Sequence, residues 1–426
     1  MDIPDANNGS FYKSFSFAEM LLVYFYWSCR KLVIFCLTIK YKMSKVPRIQ
    51  LSPLQHGSDG TDSSYSISSV PRAFNVPVRS WIFLFLLFCV ISKPAISQVS
   101  PRSYTAYKSL SEIKIDGRAD EASWDNAPWS DDFIDIEGKK IPSYRTRVKM
   151  LWDSNNLYVF AKMEEPHVWA TLKQRDTVIF YNNDFEIFID PDGDTHHYME
   201  LEVNAHNTVW DLLLSKPYRN GGLVVDHWDF KGLKTAVHIL GSLNDPRDTD
   251  QGWQVEIAIP WESMKELYPG AALPENSFWR INFSRVNWDY ELDGKRYSRK
   301  KDAAGNFMPE YNWVWSPQGV INMHEPEHWG YVYFSDKQGV DNIFKIPDDE
   351  TLKWSLYQVY REMLQSPSRI NDITGTKTIG ELEFMGSKVN IHFETHNAGY
   401  NLYLNNPFNG NKLLIREDGK FIKYEN

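Results

Sequence analysis

The chain contains little cysteine, and all of it lies near the amino terminus. Cys29, Cys36 and Cys89 are the three cysteines among 426 residues. The chain beyond Cys89 therefore cannot form an internal disulfide, so a hydrophobic core must hold it together. This excludes the small disulfide-stapled scaffolds that are common among exported proteins.

An excess of positive charge is also missing. Lys and Arg number 46 against 55 Asp and Glu, which gives a formal net charge of -9. A protein of this charge repels phosphate, so we expect no bulk binding to nucleic acid. The charged fraction of 24% and the hydrophobic fraction of 42% are those of an ordinary globular protein.

No apolar run is long enough to cross a bilayer, which takes about 20 residues as a helix. Residues 20–39 are interrupted by Arg30 and Lys31, and the run Trp81–Ile91 is too short. That second run follows basic residues and precedes the small-residue site Ala95-Ile96-Ser97. We therefore predict a secretory signal peptide over residues 76–97, cleaved near Ser97; a buried helix or a signal anchor is the alternative.

The stretch before this leader is unexpected, because a signal peptide begins close to the start of a chain. Residues 1–75 include a Ser-, Gly- and Asp-rich segment typical of a linker. We interpret residues 1–75 as an over-extended or disordered N-terminus. The processed protein is expected to be secreted, periplasmic or on the cell surface, with membrane contact only through the leader.

Aromatic residues are abundant, at 15% of the chain with 16 Trp. Between Ile113 and Phe334 they occur in short β-branched segments bounded by Asn, Asp and Gly, which favours an antiparallel sandwich. We predict an all-β, immunoglobulin-like or jelly-roll sandwich over residues 98–336, with short helices at 119–126 and 261–267. The expected strands lie at 147–153, 157–163, 185–190, 198–204, 208–214, 234–239, 253–259, 278–287 and 331–334.

The remaining residues, 337–426, have a different pattern. Apolar residues recur at helical spacing from Thr351 to Leu364, after an acidic start at Asp348. Short alternating strands and Gly-containing turns follow from Ile379 to Tyr424. This pattern predicts a helix followed by a small antiparallel sheet.

Four motifs follow one another in a characteristic order and spacing. They are Ile115-Asp116-Gly117 with Asp120 to Trp124, Val148 to Val159, Asn183 to Asp190, and Val255 to Trp261. Together they resemble the family-9 carbohydrate-binding modules, over roughly residues 111–336. The resemblance implies a β-sandwich that binds a sugar, often at a chain end, between two aromatic side chains with polar groups beneath.

The resemblance also implies positions for the sugar-binding side chains. The first aromatic slot falls on Phe180 or Tyr181, and the second falls on Trp315. A cation is expected at the position of Glu202, so this chain departs from the pattern there. The implied carbohydrate-binding residues are Phe180, Tyr181, Glu186, Asn204, Arg285, Asn287, Asn312 and Trp315.

The residues themselves are compatible with this reading, because a sugar needs flat aromatic surface and convergent hydrogen-bonding groups. Most single Trp residues are nevertheless expected in the core, as their surroundings are apolar. We assign Trp124, Trp152, Trp253 and Trp261 to the core, and expect Trp313 or Trp315 to be exposed.

Two other groups of residues suggest metal binding. Asp190, Asp192 and Asp194 alternate on a turn, as in loops that bind hard cations, and the family resemblance implies structural calcium; a plain β-turn is the alternative. His196 and His197 point to opposite faces if they lie on a strand, so a solvated strand start is expected instead of a metal site. No other cofactor is expected.

Catalysis is a weaker interpretation. A glycoside hydrolase needs two carboxylates across a cleft, and Asp184, Glu186, Glu200, Glu202 and Asp211 are candidates. Acidic residues alternate on many exposed strands, so we predict a non-catalytic binding protein for a poly- or oligosaccharide, in support of glycan degradation. Alternatives are a hydrolase of O-glycosyl bonds and a haem-binding module, although His197 and Met199 would share one strand face and cannot be opposite axial ligands.

Overall fold

The computed structural model describes residues 100–265, 267–268, 273–337, 344–366 and 373–426, all within one compact unit. The N-terminal extension and the leader, predicted over residues 1–75 and 76–97, lie outside the described residues. No helix in the described ranges combines the length and the apolar character that crossing a membrane requires.

The main body is a β-sandwich, as the sequence predicted. Most of its strands belong to a single hydrogen-bonded sheet of thirteen strands, and β12 and β13 form a separate hairpin. The strands are β1 (Ser103–Lys108), β2 (Ile134–Asp135), β3 (Thr146–Trp152), β4 (Asn156–Glu164), β5 (Asp184–Asp190), β6 (Tyr198–Asn204), β7 (Val209–Leu214), β8 (Val224–Val225), β9 (Lys234–Leu240), β10 (Gly252–Pro260), β11 (Phe278–Asn287), β12 (Tyr290–Asp293), β13 (Arg296–Arg299), β14 (Tyr311–Val314) and β15 (Gly330–Ser335).

The strand order is β8-β7-β6-β5-β11-β15-β1-β3-β4-β10-β9, with β14 joining β11 to β2. Strand β1 is parallel to both β15 and β3, while the pairs β5–β6, β5–β11 and β4–β10 are antiparallel. The two halves of the sheet share one core, to which β5, β6 and β11 contribute from one side and β3, β4 and β10 from the other.

The alternation of residues in β5 explains how the sandwich presents its polar groups. Phe185, Ile187 and Ile189 lie in the core, so Asp184 and Glu186 point to the opposite face of the sheet. Every residue of β5 and β6 is nevertheless buried. The outer face of these two strands is therefore covered as well as the inner one.

The helices of the sandwich are shorter than expected. Helix α1 (Ala122–Asn126) and the 3-10 turn Trp261–Met264 begin where predicted or slightly later, and further 3-10 turns lie at Ile179–Tyr181, Tyr218–Asn220 and Pro326–His328. The core assignment of four Trp residues is confirmed: their exposed fractions are at most 6%. These are Trp124, Trp152, Trp253 and Trp261.

The C-terminal extension is the predicted helix and small antiparallel sheet. Helix α2 (Asp348–Gln365) opens with three acidic residues, which suit the positive end of a helix dipole. Its apolar face packs on a sheet in simple sequential order. The strands are β16 (Thr376–Phe384), β17 (Ser387–His396), β18 (Gly399–Asn405), β19 (Lys412–Arg416) and β20 (Phe421–Tyr424).

Buried polar contacts fix this extension to the sandwich. Lys353 on α2 donates to the Gly193 carbonyl oxygen at 2.9 Å, and Arg361 Nε donates to Glu327 at 2.6 Å. Arg280 of β11, which is 1% exposed, pairs with Glu350 at 3.4 Å. Such buried pairs need their partners in place, so the extension is an integral part of the fold.

Candidate functional site

One end of the sandwich holds a small cavity of about 190 Å³, which we call the aromatic pocket. It lies where β4 and β11 end and β5 begins, next to the β12–β13 hairpin. Because it is formed by strand ends from both halves of the sandwich, its residues are far apart in the sequence. They are Tyr144, Glu165, Pro166, His167, Asn183, Asn287, Trp288, Asp289, Tyr290 and Lys300.

Aromatic rings supply the walls of the aromatic pocket. The His167 and Tyr290 rings meet edge to face, with centroids 5.2 Å apart. Behind them Tyr297 contacts Tyr290 at 5.0 Å and stacks on Trp169 at 6.3 Å. Burial and the neighbouring Tyr144 hydroxyl raise the pKa of Tyr290. The Tyr290 hydroxyl therefore remains a neutral donor at physiological pH.

The floor of the pocket is a network of polar side chains, each at most 6% exposed, in which a buried carboxylate is paired with a buried guanidinium. Glu165 accepts hydrogen bonds from Asn183 Nδ2 at 2.5 Å and from Trp253 Nε1 at 2.8 Å. Arg285 Nη2 donates to Glu165 at 3.3 Å and to Asn287 Oδ1 at 3.0 Å.

This network balances its charges internally. Burial raises the pKa of Glu165, and the attraction of Arg285 opposes that rise. Arg285 also donates to Thr146 Oγ1 at 3.1 Å and to the Glu164 carbonyl oxygen at 2.9 Å. The floor is thus held rigid before any ligand arrives, which lowers the entropic cost of binding.

The opposite side of the same sheet carries a second polar group, which we call the acidic face: Asp184, Glu186, Glu200 and Glu202. Glu186 and Glu202 are directly opposite each other on β5 and β6. All four carboxylates are at most 5% exposed. Glu202 accepts a hydrogen bond from the Phe180 backbone N–H at 2.9 Å, and Asp184 accepts one from Val286 at 3.2 Å.

Burial is the main influence on the acidic face and favours the neutral form of each carboxyl. It raises the pKa of Glu186 to about 7 and places those of Asp184, Glu200 and Glu202 well above their usual values. Mutual repulsion adds to the effect: Glu186 raises the pKa of Asp184, Glu200 and Glu202.

Aromatic side chains border the acidic face. Phe180 stacks on Trp210 with centroids 6.5 Å apart, and Tyr181 beside it is 45% exposed. The Arg299 guanidinium covers Tyr181 at 4.4 Å and Trp288 at 4.7 Å. The ring of Tyr181 is therefore already in contact with a cation of the protein, the Arg299 guanidinium.

The structure divides the side chains that the sequence assigned to one sugar site between two places. Arg285 and Asn287 belong to the aromatic pocket, whereas Phe180, Tyr181 and Glu186 border or form the acidic face. Successive residues of a strand point to opposite faces of the sheet, so two residues an odd number of positions apart on one strand lie on different faces.

Two further Asn residues do not line the aromatic pocket. Asn204 Nδ2 donates to the Leu172 carbonyl oxygen at 2.9 Å, and its Oδ1 accepts from His206 and Thr208 backbone N–H groups, so it organises a turn. Asn312 lies opposite Val286 on β14 and is half-buried.

The expectation of an exposed Trp at 313 or 315 is wrong. Trp313 is 3% and Trp315 is 1% exposed, and both belong to the core. The Trp315 ring packs 5.8 Å from Phe283 and against Gly330, where any side chain would collide with it. Trp315 therefore offers no face to a ligand in this structure.

Sequence reasoning missed most of the aromatic pocket. Glu165 and Tyr144 lie just outside strands, and Trp288 and Tyr290 flank Asp289 at the start of a hairpin. The one available signal was the polar and aromatic run Asn287-Trp288-Asp289-Tyr290 directly after a long strand. Such a run places aromatic rings and hydrogen-bonding groups together at a strand end.

The aspartates of the predicted calcium loop come together, with one oxygen of each within 4.8 Å of the others. Asp190 accepts the backbone N–H groups of Gly193 and Thr195. Lys420 pairs with Asp194 at 2.8 Å, so an ammonium group from the extension already neutralises part of this loop. Calcium at Asp190, Asp192 and Asp194 stays a prediction.

His196 is not solvated, which corrects the expectation for this residue, whereas its neighbour His197 is exposed as expected. It is 7% exposed because the turn between β19 and β20 covers it, with Asp418 3.7 Å from its Nε2. Burial lowers the pKa of His196, so the ring is neutral at physiological pH. Met199, considered for haem ligation, is fully buried in the sandwich core.

Comparison with known proteins finds a family model that matches part of the sandwich. Residues 115–299 match the model described as "Carbohydrate family 9 binding domain-like". This segment is therefore similar to that family, and the match supports carbohydrate binding. No curated protein matches the chain.

Solved structures of similar proteins include a family-9 carbohydrate-binding module from Caldicellulosiruptor kristjanssonii in complex with cellotriose, at 16% identity and a TM-score of 0.36. The match covers 58% of this chain and 100% of that one. A family-9 carbohydrate-binding module from the same organism, in complex with glucose, shows 18% identity and a TM-score of 0.35, with 57% of this chain and 100% of that one covered. A putative carbohydrate-binding protein from Bacteroides uniformis shows 15% identity and a TM-score of 0.42, with 55% and 100% covered.

Proposed function

We propose that the protein is an exported, non-catalytic carbohydrate-binding protein that holds one ring of a poly- or oligosaccharide in the aromatic pocket. The observation that carries this proposal is the combination of aromatic walls with a rigid polar floor. Sugars present apolar C–H faces to aromatic rings and hydroxyls to fixed donors and acceptors.

The size of the pocket favours a short part of a glycan. Its volume of about 190 Å³ is below the range of roughly 300–1,000 Å³ that is usual for drug-sized ligands. A single sugar ring suits this volume, so a chain end or a side-chain unit is the expected ligand. The role of such a protein would be to keep glycan close to the cell or to degrading enzymes.

The experiment is isothermal titration with a panel of oligosaccharides headed by glucose and cello-oligosaccharides, using the protein and its Tyr290→Ala variant. Removal of this ring is expected to weaken binding about tenfold, since an aromatic contact contributes ~1 kcal/mol or more. Tyr424→Ala is the matched control, because Tyr424 is 53% exposed on the distant β20 and lines no part of the pocket.

Two results would overturn the proposal. One is a panel in which no sugar binds to the folded protein. The other is a Tyr290→Ala variant that binds the best sugar as tightly as the unaltered protein does. Loss of binding in both Tyr290→Ala and Tyr424→Ala would also contradict it, because the effect would then not arise in the pocket.

A hydrolase is the second candidate, and the acidic face is the observation that favours it. A raised pKa of about 7 for Glu186 is typical of a general acid. Glu186 and Glu202 are neighbours on one sheet, however, and are 5% and 1% exposed. A glycosidase places its carboxylates on two sides of an open cleft. Release of reducing sugar that disappears in Glu186→Gln would favour the hydrolase.

A further inference from the structure

The charged groups that line the aromatic pocket differ in whether the protein already supplies a partner. Glu165 is paired with the Arg285 guanidinium at 3.3 Å in the floor. The negative charge of Asp289 raises the pKa of the neighbouring Tyr311 hydroxyl. Lys300 lines the same pocket, but its ammonium takes part in no ion pair or hydrogen bond with any described residue. Lys300 therefore brings a positive charge to the pocket that is open to a ligand.

The stretch of chain around Lys300 is strongly basic. Residues 294–301, Gly-Lys-Arg-Tyr-Ser-Arg-Lys-Lys, contain five Lys or Arg and no Asp or Glu, although the whole chain has a net charge of -9. None of these five side chains forms an ion pair within the described ranges. The stretch contains β13, so this positive charge lies along the hairpin that borders the aromatic pocket.

Acidic residues lie close to this stretch, but they do not pair with its cations. Glu291 accepts a hydrogen bond from the Lys301 backbone N–H at 3.4 Å, and Asp302 accepts backbone N–H groups of its own turn. Asp293 is opposite Arg296 in the hairpin register, yet the two side chains form no ion pair. The cations of β13 therefore remain available to an anion from outside the protein.

Arg299 is held in place by aromatic rings and not by a carboxylate. Its guanidinium lies over the rings of Phe307, Tyr181 and Trp288 at 4.0, 4.4 and 4.7 Å. Burial lowers the pKa of Arg299, but an Arg side chain stays protonated in proteins. Stacking on rings fixes a guanidinium while its N–H groups still lack acceptors. Since Trp288 is itself a pocket wall, this second cation lies next to the pocket.

The hairpin fixes both cations relative to the pocket wall. The Lys300 backbone N–H donates to the Asp289 carbonyl oxygen at 2.8 Å, and Arg299 is opposite Tyr290 in the register. Successive residues of a strand point to opposite faces, so Lys300 and Arg299 lie on two sides of this wall. A ring seated in the pocket is therefore close to two positive charges, of which Lys300 lines the pocket directly.

We propose that the aromatic pocket selects an acidic saccharide, whose carboxylate or sulfate group pairs with the Lys300 ammonium while β13 attracts the anionic groups of neighbouring rings. This inference rests on the proposed saccharide binding. The paired floor meets the hydroxyls of the ring, because an anion placed there would be repelled by Glu165. Lys300 is exposed at the edge of the pocket, so it can reach an anionic substituent without burying it.

The test is isothermal titration of the protein with matched trisaccharides at low salt. Uronate trisaccharides of gluco, galacto and manno configuration are each compared with their methyl esters, which have the same rings without the charge. The best acid is expected to bind about fivefold more tightly than its ester, as for one exposed ion pair. Trisaccharides of the same sugars sulfated at C6 show whether a carboxylate or a sulfate is preferred, and a preference for either over the ester supports the proposal. Equal affinity for every charged form and its uncharged counterpart overturns it.

The variant is Lys300→Gln, which keeps most of the side chain and removes the charge. It is expected to reduce the ratio of acid to ester affinity to less than about twofold and to leave the affinity for the ester unchanged. Lys377→Gln is the matched control, because it makes the same change in net charge at an exposed position of β16. A Lys300→Gln variant that keeps the full preference, or that loses acid and ester equally, contradicts the proposal.

Salt gives a second readout. Raising the salt concentration from about 50 to about 500 mM screens exposed charges, so the acid should lose its advantage while binding of the ester stays constant. An advantage that salt does not change contradicts an ion pair at Lys300. Ester and acid that bind equally, and both depend on Tyr290, would remove this inference and keep the proposed function. An acid whose binding is unaffected by Tyr290→Ala would remove both, because it would then bind outside the pocket.

Discussion

The aromatic pocket and the acidic face lie on two sides of the same strand ends. They differ in whether a buried carboxylate has a cationic partner from the protein. In the pocket floor, Glu165 has Arg285, Asn183 and Trp253 as partners. On the acidic face, Glu186 and Glu202 oppose each other without a cation of the protein. A network whose charges are paired suits neutral ligand groups such as hydroxyls, whereas buried carboxyls without a paired cation favour the protonated form. The predictions below test this difference.

The largest loss of stability is expected from removing the cation of the pocket floor. Arg285→Ala leaves Glu165 as a buried carboxylate without its cation, which should cost about 3–5 kcal/mol of unfolding free energy. Chemical denaturation measures this loss. Arg247→Ala is the control, because its ion pair with Asp245 lies on the surface and water screens such a pair, so its removal should change stability far less. A small and equal loss of unfolding free energy in Arg285→Ala and Arg247→Ala would contradict this prediction.

The carboxyls of the acidic face, which lack a paired cation, should make the stability of the protein depend on pH. The folded-state pKa of Glu186 is about 7, above its ordinary value of 4.5. The folded protein therefore holds a proton that the unfolded chain releases, and stability falls as pH rises from 4.5 through 7. The loss is on the order of 3 kcal/mol in EDTA.

Glu186→Gln should flatten that decline, because the amide has no proton to release in this range. Denaturation curves at about pH 5, 6, 7 and 8 measure how the free energy of unfolding depends on pH in the unaltered protein and in the variant. A stability that rises over this interval in EDTA would show that the acidic face is already compensated.

The two aromatic borders should differ in sugar binding. Tyr144→Ala removes a wall of the pocket and should weaken binding about tenfold, whereas Tyr181→Ala should change it less than about twofold. Titration with the best sugar of the panel gives both numbers. The opposite order would place the sugar at the acidic face, where the family resemblance assigns it.

The smallest effect is expected at the aspartate loop. Lys420→Ala removes the ion pair with Asp194, which is partly accessible to solvent, and should cost up to ~1 kcal/mol. Chemical denaturation of Lys420→Ala beside Arg285→Ala compares this partly exposed ion pair with the buried one. An equal loss of stability in the two variants would contradict the account.

The strands could be predicted because their patterns are local. In β5 the alternation of Asp184, Glu186 and Asp190 with core Phe and Ile residues indicates both the strand and its two faces. The four buried Trp residues were assignable for the same reason, as each lies in an apolar segment. The helix and small sheet at the C-terminus also follow from local periodicity and turns.

The site could not be predicted in the same way. The pocket requires Tyr144, Glu165, Asn183 and Trp288 to meet, and only the packing of distant strand ends brings them together. Trp315 shows the complementary difficulty. An extended aromatic segment does not reveal which neighbour covers it, and here Phe283 and Gly330 do. The covering of His196 by the extension is equally a property of tertiary packing.

The most direct test of the account is a crystal structure of the protein with the oligosaccharide that binds best. The account predicts one sugar ring in the aromatic pocket, between Tyr144 and Tyr290, with hydroxyls on Asn183 and Asn287. A sugar stacked instead on Phe180, Tyr181 or Trp210, with its hydroxyls on Glu186, would contradict it.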